Sequence, residues 1–401
     1  MKDFNSQLSA DERVHALMIT GVYLPERNGA VMQCSQLMGR LEKSINFSVL
    51  TGTNNVTSNG IECIDDIAVT RVYMPKGKSF KYIIGAAKFY LALLRSLSKV
   101  DLVHFHGYSK RNALAILICR LLSKRILVKM TSFGHDDPLS VKRGGFLYWM
   151  AFKYSHAYIG LSPAFQSSYQ LAGMPTNLYS TISNGVDLTR FAPVSANRRE
   201  ILREKYKFTV DDKLIIFVGH FSAEKRPLLL YKAWIKLLQL KIDVKLVFIG
   251  RTKNHFEVND EIIEIIKADA IRCGVLQLIH FVEETSHVHE YMQIADIFVL
   301  PSLREGMPNA LLEAMACELP CVVRFLPGVT DWLIDDKITG SHFYRDDSNE
   351  LAEKISYLFA ERESAKKMGA AARGFIKKNF SIDLTSKKLF ELYKKILEIS
   401  T

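Results

Sequence analysis

The feature that most constrains this chain is a double series of short apolar runs, each closed by Gly, Ser, Thr or Pro. The first half carries HALMITG, FSVLTG, DLVHFHG, RILVKMTSFG, AYIGLSP and YSTISNGV, and the second LIIFVG, KLVFIG, LIHFV, IFVLPS and PCVVRF. Most are near-continuous Val, Ile, Leu and Phe rather than alternating, as strands covered on both faces require. Segments of helical spacing lie between them, among them residues 33–43, 81–99, 227–240 and 309–317. Strand–helix alternation builds parallel sheets, and two series predict two doubly wound α/β domains. A length of 401 residues suits two cores better than one. The boundary is expected in NGVDLTRFAPVSANRRE, where an apolar run gives way to Pro193 and a polar stretch.

Composition removes several classes. No apolar run reaches transmembrane length, and the opening MKDFNSQLSADER has no signal-peptide core. The six cysteines lack zinc-ligand spacing and mostly lie in apolar segments, which predicts reduced, buried thiols in a cytoplasmic protein. Charge is unevenly placed. Residues 1–200 hold 24 Lys and Arg against 13 Asp and Glu, whereas residues 201–401 hold 29 of each. Between Arg71 and Lys153, sixteen basic residues face only Asp101, Asp136 and Asp137. Such asymmetry points one domain at something anionic.

In open parallel sheets, ligands bind beyond the carboxyl ends of the strands. The string IFVLPSLREGMPNALLEAMACELPCVV, residues 297–323, is the strongest signal there. A strand ends at Pro301, a loop carries Glu305 and Gly306, and Pro308 leads into a helix that holds Glu313. The N–H groups of Ala310 and Leu311 at that helix start are expected to form an anion site, with the carboxylates accepting sugar hydroxyls.

The whole string resembles the signature of the family-4 retaining glycosyltransferases of the GT-B fold. Further matches follow in order: YLPERNGA (23–30), DLVHFHG (101–107), ISNGVDLTRFAP (182–193), FVGHFSAEKRP (217–227) and the tail MGAAARGFIKKNFS (368–381). The resemblance implies two Rossmann-like domains facing a central cleft. An acceptor-binding domain would span residues 1–190 and a nucleotide-sugar-binding domain 191–380. A terminal helix, 381–401, would pack back on the first domain. It assigns Glu313 to the ribose hydroxyls and Glu305 to the donor hexose near its reacting carbon. The Gly306, Met307, Pro308, Asn309, Ala310 and Leu311 backbone would touch sugar and diphosphate. Lys225 and Arg226 would neutralise the leaving diphosphate, and Gly29 would line the donor site. His106, at a strand's carboxyl end, would bond a sugar hydroxyl, whereas His104 on the same face reads as core.

The chain departs from the family pattern in places. His220 stands where an arginine is common, Arg226 and Glu318 where glycine is, and Asn28-Gly29 where two glycines are. GRTKN (250–254) replaces a glycine-rich loop, so base and ribose contacts there do not transfer. No Asp-x-Asp occurs. The expectation is therefore metal-free chemistry without a cofactor, with retention implied by the two-glutamate signature.

The expected partners are a nucleotide-sugar donor, with UDP-sugars ahead of GDP-mannose, and a saccharide or lipid-linked acceptor. KYIIGAAKFYLALLRSLSK (81–99) sets Lys81, Lys88, Arg95 and Lys99 on one helical face, and residues 141–156 again mix basic and aromatic side chains. That pattern suits an anionic bilayer surface and predicts peripheral attachment to the inner membrane face. A nucleic-acid-binding protein is the alternative from charge, although no nucleic-acid module is recognisable. A sugar phosphorylase or epimerase is the alternative within the fold.

Overall fold

The computed structural model describes residues 13–398 apart from 27, 76, 78–79 and 252–257. The chain divides into two units, one reaching Gly185 and regaining the chain at Ile382, the other running Val186–Ser381.

In the first unit the strands are β1 (Val14–Thr20), β2 (Ile45–Thr53), β3 (Gly60–Ile64), β4 (Ile67–Tyr73), β5 (Leu102–His106), β6 (Arg125–Lys129), β7 (Ala157–Gly160) and β8 (Tyr179–Thr181). Their order is β3-β4-β2-β1-β5-β6-β7-β8, parallel except for the β3–β4 pair. Helices α1 (Gly29–Leu41), α2 (Phe80–Leu97), α3 (Lys110–Leu121), α4 (Pro138–Arg143), α5 (Phe146–Lys153) and α6 (Pro163–Leu171) connect them. The second unit alternates α7 (Ala196–Lys205), β9 (Leu214–Val218), α8 (Pro227–Gln239), β10 (Lys245–Ile249), α9 (Asp260–Arg272), β11 (Ile279–Val282), α10 (Val288–Ile294) and β12 (Ile297–Leu300). It continues through α11 (Asn309–Ala316), β13 (Cys321–Arg324), α12 (Thr330–Leu333), β14 (Ser341–Phe343), α13 (Ser348–Ala360) and α14 (Arg362–Asn379). Its all-parallel sheet has the order β11-β10-β9-β12-β13-β14.

The sequence-predicted strands all form. Two features escaped the pattern. The β3–β4 hairpin is edge structure, with β3 largely exposed and polar enough to lack an apolar run. At three residues, β14 is too short to carry a period.

The last helix, α15 (Ile382–Glu398), repeats apolar residues every three to four positions. It buries Leu389, Leu392, Tyr393 and Ile396 against Ala16, Leu37, Leu102 and Leu127 of the first unit. Side chains of this size contribute about 1.5–3 kcal/mol each when fully buried. Of the cysteines, Cys34, Cys119, Cys317 and Cys321 are buried, whereas Cys63 and Cys273 are exposed, and none forms a disulfide.

In each sheet the order reverses beside the first strand of the unit: between β1 and β5, and between β9 and β12. These two switch points are where open sheets form ligand crevices.

Candidate functional site

In the second unit, the loops after β9 and β12 meet at the switch point. Three successive residues of one loop find partners across the crevice. Arg304 Nη2 donates to both carboxylate oxygens of Glu224, at 2.8 and 2.7 Å. Lys225 Nζ donates to both carboxylate oxygens of Glu305, at 2.6 and 2.8 Å. Arg226 pairs with Asp346. The Leu303 N–H also donates to the Glu224 carbonyl at 2.8 Å, so backbone fixes the register of the two loops. Glu305 is only 8% exposed. A carboxylate so far out of water needs a cation within hydrogen-bond reach, and Lys225 supplies it.

Arg226 has φ +57°, the left-handed region. That backbone explains why glycine is commoner there in similar sequences: a side chain costs roughly 1 kcal/mol in this conformation. The strand ends are also tight. A Cβ on Gly250, itself at φ +150°, would lie 2.1 Å from the Gly219 carbonyl oxygen, so the loops after β9 and β10 pass backbone to backbone. Of GRTKN, residues 252–254 lie outside the described residues.

Met307 and Pro308 are buried, and Gly306, Asn309 and Ala310 are partly open. One expectation is corrected. The Leu311 N–H is not available to phosphate, because it donates to the Pro308 carbonyl at 3.0 Å. Pro308 has no side-chain acceptor to cap the helix, so its carbonyl draws in the first turn, and Leu311 itself is core. Glu313 follows one turn on. It retains some exposed surface, yet burial pushes its carboxyl up to about 8, with Arg190 pulling the other way. Arg190, which hydrogen-bonds His289 Nδ1 at 3.3 Å, lies in the motif DLTRF but was given no role by sequence reasoning.

Glu318, the other glycine replacement, also sits at positive φ, +62°, just past α11. The turn is therefore kept, with the side chain tolerated there.

In the first unit, His106 ends β5 at the other switch point, and its ring lies near the Ala30 backbone in the first turn of α1, with Nδ1 buried and unpartnered. Gly29 is the residue before, and Asn28 caps the helix by accepting from the Val31 N–H at 2.8 Å. The structure thus brings Gly29 and His106 together, whereas the other candidate residues all belong to the second unit. Burial holds His106 well below its usual range, and the neighbouring Lys129 and His104 reinforce this. A neutral imidazole at neutral pH can bond a hydroxyl but is a poor proton donor. His104 is fully buried, with Nδ1 2.6 Å from the Tyr393 hydroxyl of α15, which makes it the core histidine expected.

Lys129, beside His106 in the β5–β6 register, was not anticipated. It is 1% exposed, donates to Asn184 Oδ1 at 3.0 Å, and is pulled down to about 8 by burial. A lysine within an apolar run carries no sequence signal of its burial. Among the described residues, no three His, Cys, Asp or Glu side chains cluster as metal ligands.

Comparison with known proteins now adds the family. Residues 198–375 match the model of the glycosyl transferases group 1, and residues 27–190 that of Glycosyltransferase Family 4. The chain belongs to the family-4 glycosyltransferases. Among its relatives are an alpha-maltose-1-phosphate synthase of Mycobacterium tuberculosis, 27% identical over 55% of this chain and 57% of the relative. Another is a diacetylbacillosaminyl-diphospho-undecaprenol N-acetylgalactosaminyltransferase of Campylobacter jejuni, 25% identical over 54% of each chain. The chain thus spans about half the length of these curated relatives. Among solved structures, Anabaena HepE in complex with UDP and glucose superposes with a TM-score of 0.78 over 96% of this chain and 100% of its own, at 16% identity. That likeness establishes the GT-B fold for this family-4 chain.

Proposed function

We propose that this family-4 protein is a retaining, metal-independent hexosyltransferase that uses a nucleotide sugar, a UDP-sugar first and GDP-mannose second. The acceptor would be a lipid-linked or cell-surface polysaccharide or lipopolysaccharide precursor. The observation that carries the reading is the Lys225–Glu305 pair at the β9/β12 switch point, one short loop before α11 and Glu313. As the sugar leaves, negative charge grows on the diphosphate. Lys225 and Arg226 lie in a single loop and can meet that charge, with Glu305 oriented by the same ammonium toward the hexose. Glu313 would accept the ribose hydroxyls, as carboxylates do for vicinal diols. HepE, with UDP and glucose bound, supports a nucleotide-sugar ligand for this fold.

A thermal-shift screen against UDP-, GDP- and ADP-sugars in EDTA tests the donor. Selective stabilisation by one base is expected, since a ligand at 100 times its Kd adds about 2.7 kcal/mol. Turnover in EDTA should release nucleoside diphosphate. A rate abolished by chelator and restored by magnesium would overturn the metal-free reading. Turnover without nucleoside diphosphate would favour a phosphorylase or epimerase.

The acceptor reading rests on a surface. Helix α2 buries only Gly85, Phe89, Leu93 and Leu97, a narrow stripe. Phe80, Ile83, Leu91 and Leu94 are exposed beside Lys81, Lys88 and Arg95. On α5, Phe146 and Leu147 are 74% and 80% exposed. No described helix is long and apolar enough to cross a membrane. Apolar side chains amid cations favour shallow attachment to an anionic, cytoplasmic-face leaflet. Each cation contributes about 1 kcal/mol there. Replacing Lys81, Lys88 and Arg95 with glutamate should abolish sedimentation with anionic vesicles and leave donor affinity unchanged. Undiminished sedimentation would move the attachment to residues 141–156, and oligonucleotide binding stronger than vesicle binding at equal salt would revive the nucleic-acid reading.

A further inference from the structure

Strand β6 ends on Lys129, which is 1% exposed. The residue stands between His106 of β5 and Ile159 of β7 in the parallel register, so its side chain leaves the sheet on the His106 face. Its ammonium donates to Asn184 Oδ1 at 3.0 Å, and its other protons find no acceptor among the described residues. No Asp or Glu carboxylate faces it there. The titratable groups around it are Cys34 from α1 and His104 and His106 from β5, with the Tyr393 hydroxyl of α15 beyond, 2.6 Å from His104 Nδ1. A buried ammonium with so few acceptors costs folding free energy, and an apolar side chain of similar length would fill the space without that cost. Packing of the sheet gives no reason to keep the charge.

The neighbouring rings give one. His106 is 5% exposed with Nδ1 unpartnered, and the fully buried His104 has Nε2 unpartnered. An imidazolium donates from both nitrogens, so neither ring has the acceptors to carry a second proton. Burial disfavours the charged form of each, and Lys129 adds a like charge beside both. The place of that charge is fixed from two sides. Asn184 holds the ammonium, and the next residue is clamped by Gln33 of α1. The Gln33 amide donates to the Gly185 carbonyl at 2.7 Å and accepts from the Gly185 N–H at 3.0 Å. A Cβ on Gly185 would lie 2.6 Å from Ile382 Cα, so only glycine fits this clamp. Lys129 is thereby tied to α1, the helix whose first turn lies near His106.

We infer that Lys129 is a positioning residue for the transfer: its tethered ammonium, one strand from His106, holds that ring as an uncharged partner for a substrate hydroxyl. The inference rests on the reading of His106 as a group that bonds a sugar hydroxyl. An uncharged imidazole can accept a hydroxyl proton in a hydrogen bond at one nitrogen and donate at the other, whereas an imidazolium can only donate. The stability lost to a buried ammonium is thereby exchanged for a fixed protonation state at the site.

The test compares Lys129→Met with wild type in the full chain. Methionine keeps the length and removes the charge, so the variant should melt at a higher temperature than wild type. Burial pulls Lys129 down to about 8 from 10.5, so wild type gains stability as pH rises through that window. The difference in melting temperature should therefore be largest below pH 8 and shrink toward pH 10.5. In the variant the His106 ring, followed by imidazole NMR and assigned with His106→Ala, should titrate at least one pH unit higher. The acid limb of kcat should move up with it, while the donor KM stays within twofold of wild type at each pH. A variant less stable than wild type would place the lysine in the service of the fold and overturn the inference. An unmoved His106 titration, or an unmoved acid limb, would overturn it as well. Normal turnover by His106→Ala would strike the hydroxyl-binding reading, and the role in transfer with it. The His106 titration in Lys129→Met shows which of the two has failed.

Discussion

Replacing Lys225 with methionine is expected to lower turnover 10²- to 10³-fold, the loss typical of removing one preorganised group that meets developing charge. The same change should destabilise the fold. Glu305 is 8% exposed, and Lys225 Nζ contacts both its oxygens. Breaking a fully buried ion pair from one side costs about 3–5 kcal/mol. Lys225 is 28% exposed, so water can partly replace it and about 1–3 kcal/mol is the expected loss. Adding Glu305→Gln should restore most of the stability, because the stranded charge is gone, and none of the turnover. Urea midpoints and steady-state rates on the two single variants and the double variant separate these effects. A Lys225→Met protein with normal turnover would remove the lysine from the mechanism. If the double variant were no more stable than Lys225→Met, the pair would not be the source of the loss.

Glu313→Gln should behave in the opposite way toward stability. Burial pushes the Glu313 carboxyl up to about 8, against an ordinary value of 4.5. The folded chain therefore holds a proton on this group across a window in which the unfolded chain has released it. Stability must fall as pH rises from about 4.5 to about 8, and the penalty is complete above that. Glutamine cannot ionise. The variant should match wild type near pH 4.5 and exceed it by about 2–3 kcal/mol at pH 9, less than the full shift because Glu313 keeps some exposed surface. Its nucleotide affinity should fall tenfold or more, since hydrogen bonds to a charged group contribute about 1.5–3 kcal/mol each. Wild-type affinity should rise with pH toward 8, as the acceptor carboxylate becomes available. A stability difference between the two proteins that is independent of pH would show that Glu313 is not held protonated. Unchanged nucleotide affinity would sink its ribose role.

The two predictions differ in how far the sequence foresaw them. Both glutamates, Lys225 and Arg226 were legible as loop and helix-start residues in a fixed order along the chain. Their energetic states were not. The same residue type, eight positions apart, is ion-paired in the loop and proton-bearing in the helix, because one meets Lys225 and the other an apolar surround.

The sequence by itself determined the two parallel sheets, the strand ends that carry the candidate residues, and the segments that cover them. These follow from apolar runs and helical spacing, which are local and survive in one dimension. It also carried the family resemblance, since motif order is a property of the string. Only the tertiary structure decided which loop residues pair across each switch point: Lys225 with Glu305, Arg226 with Asp346, His106 with the first turn of α1. It alone turned the Leu311 N–H inward and set the Arg111 guanidinium against Gly52, nearly sixty residues earlier. Such contacts join residues far apart in the chain, and their strength depends on excluded water. Neither distance nor burial is written in the spacing of a single sequence.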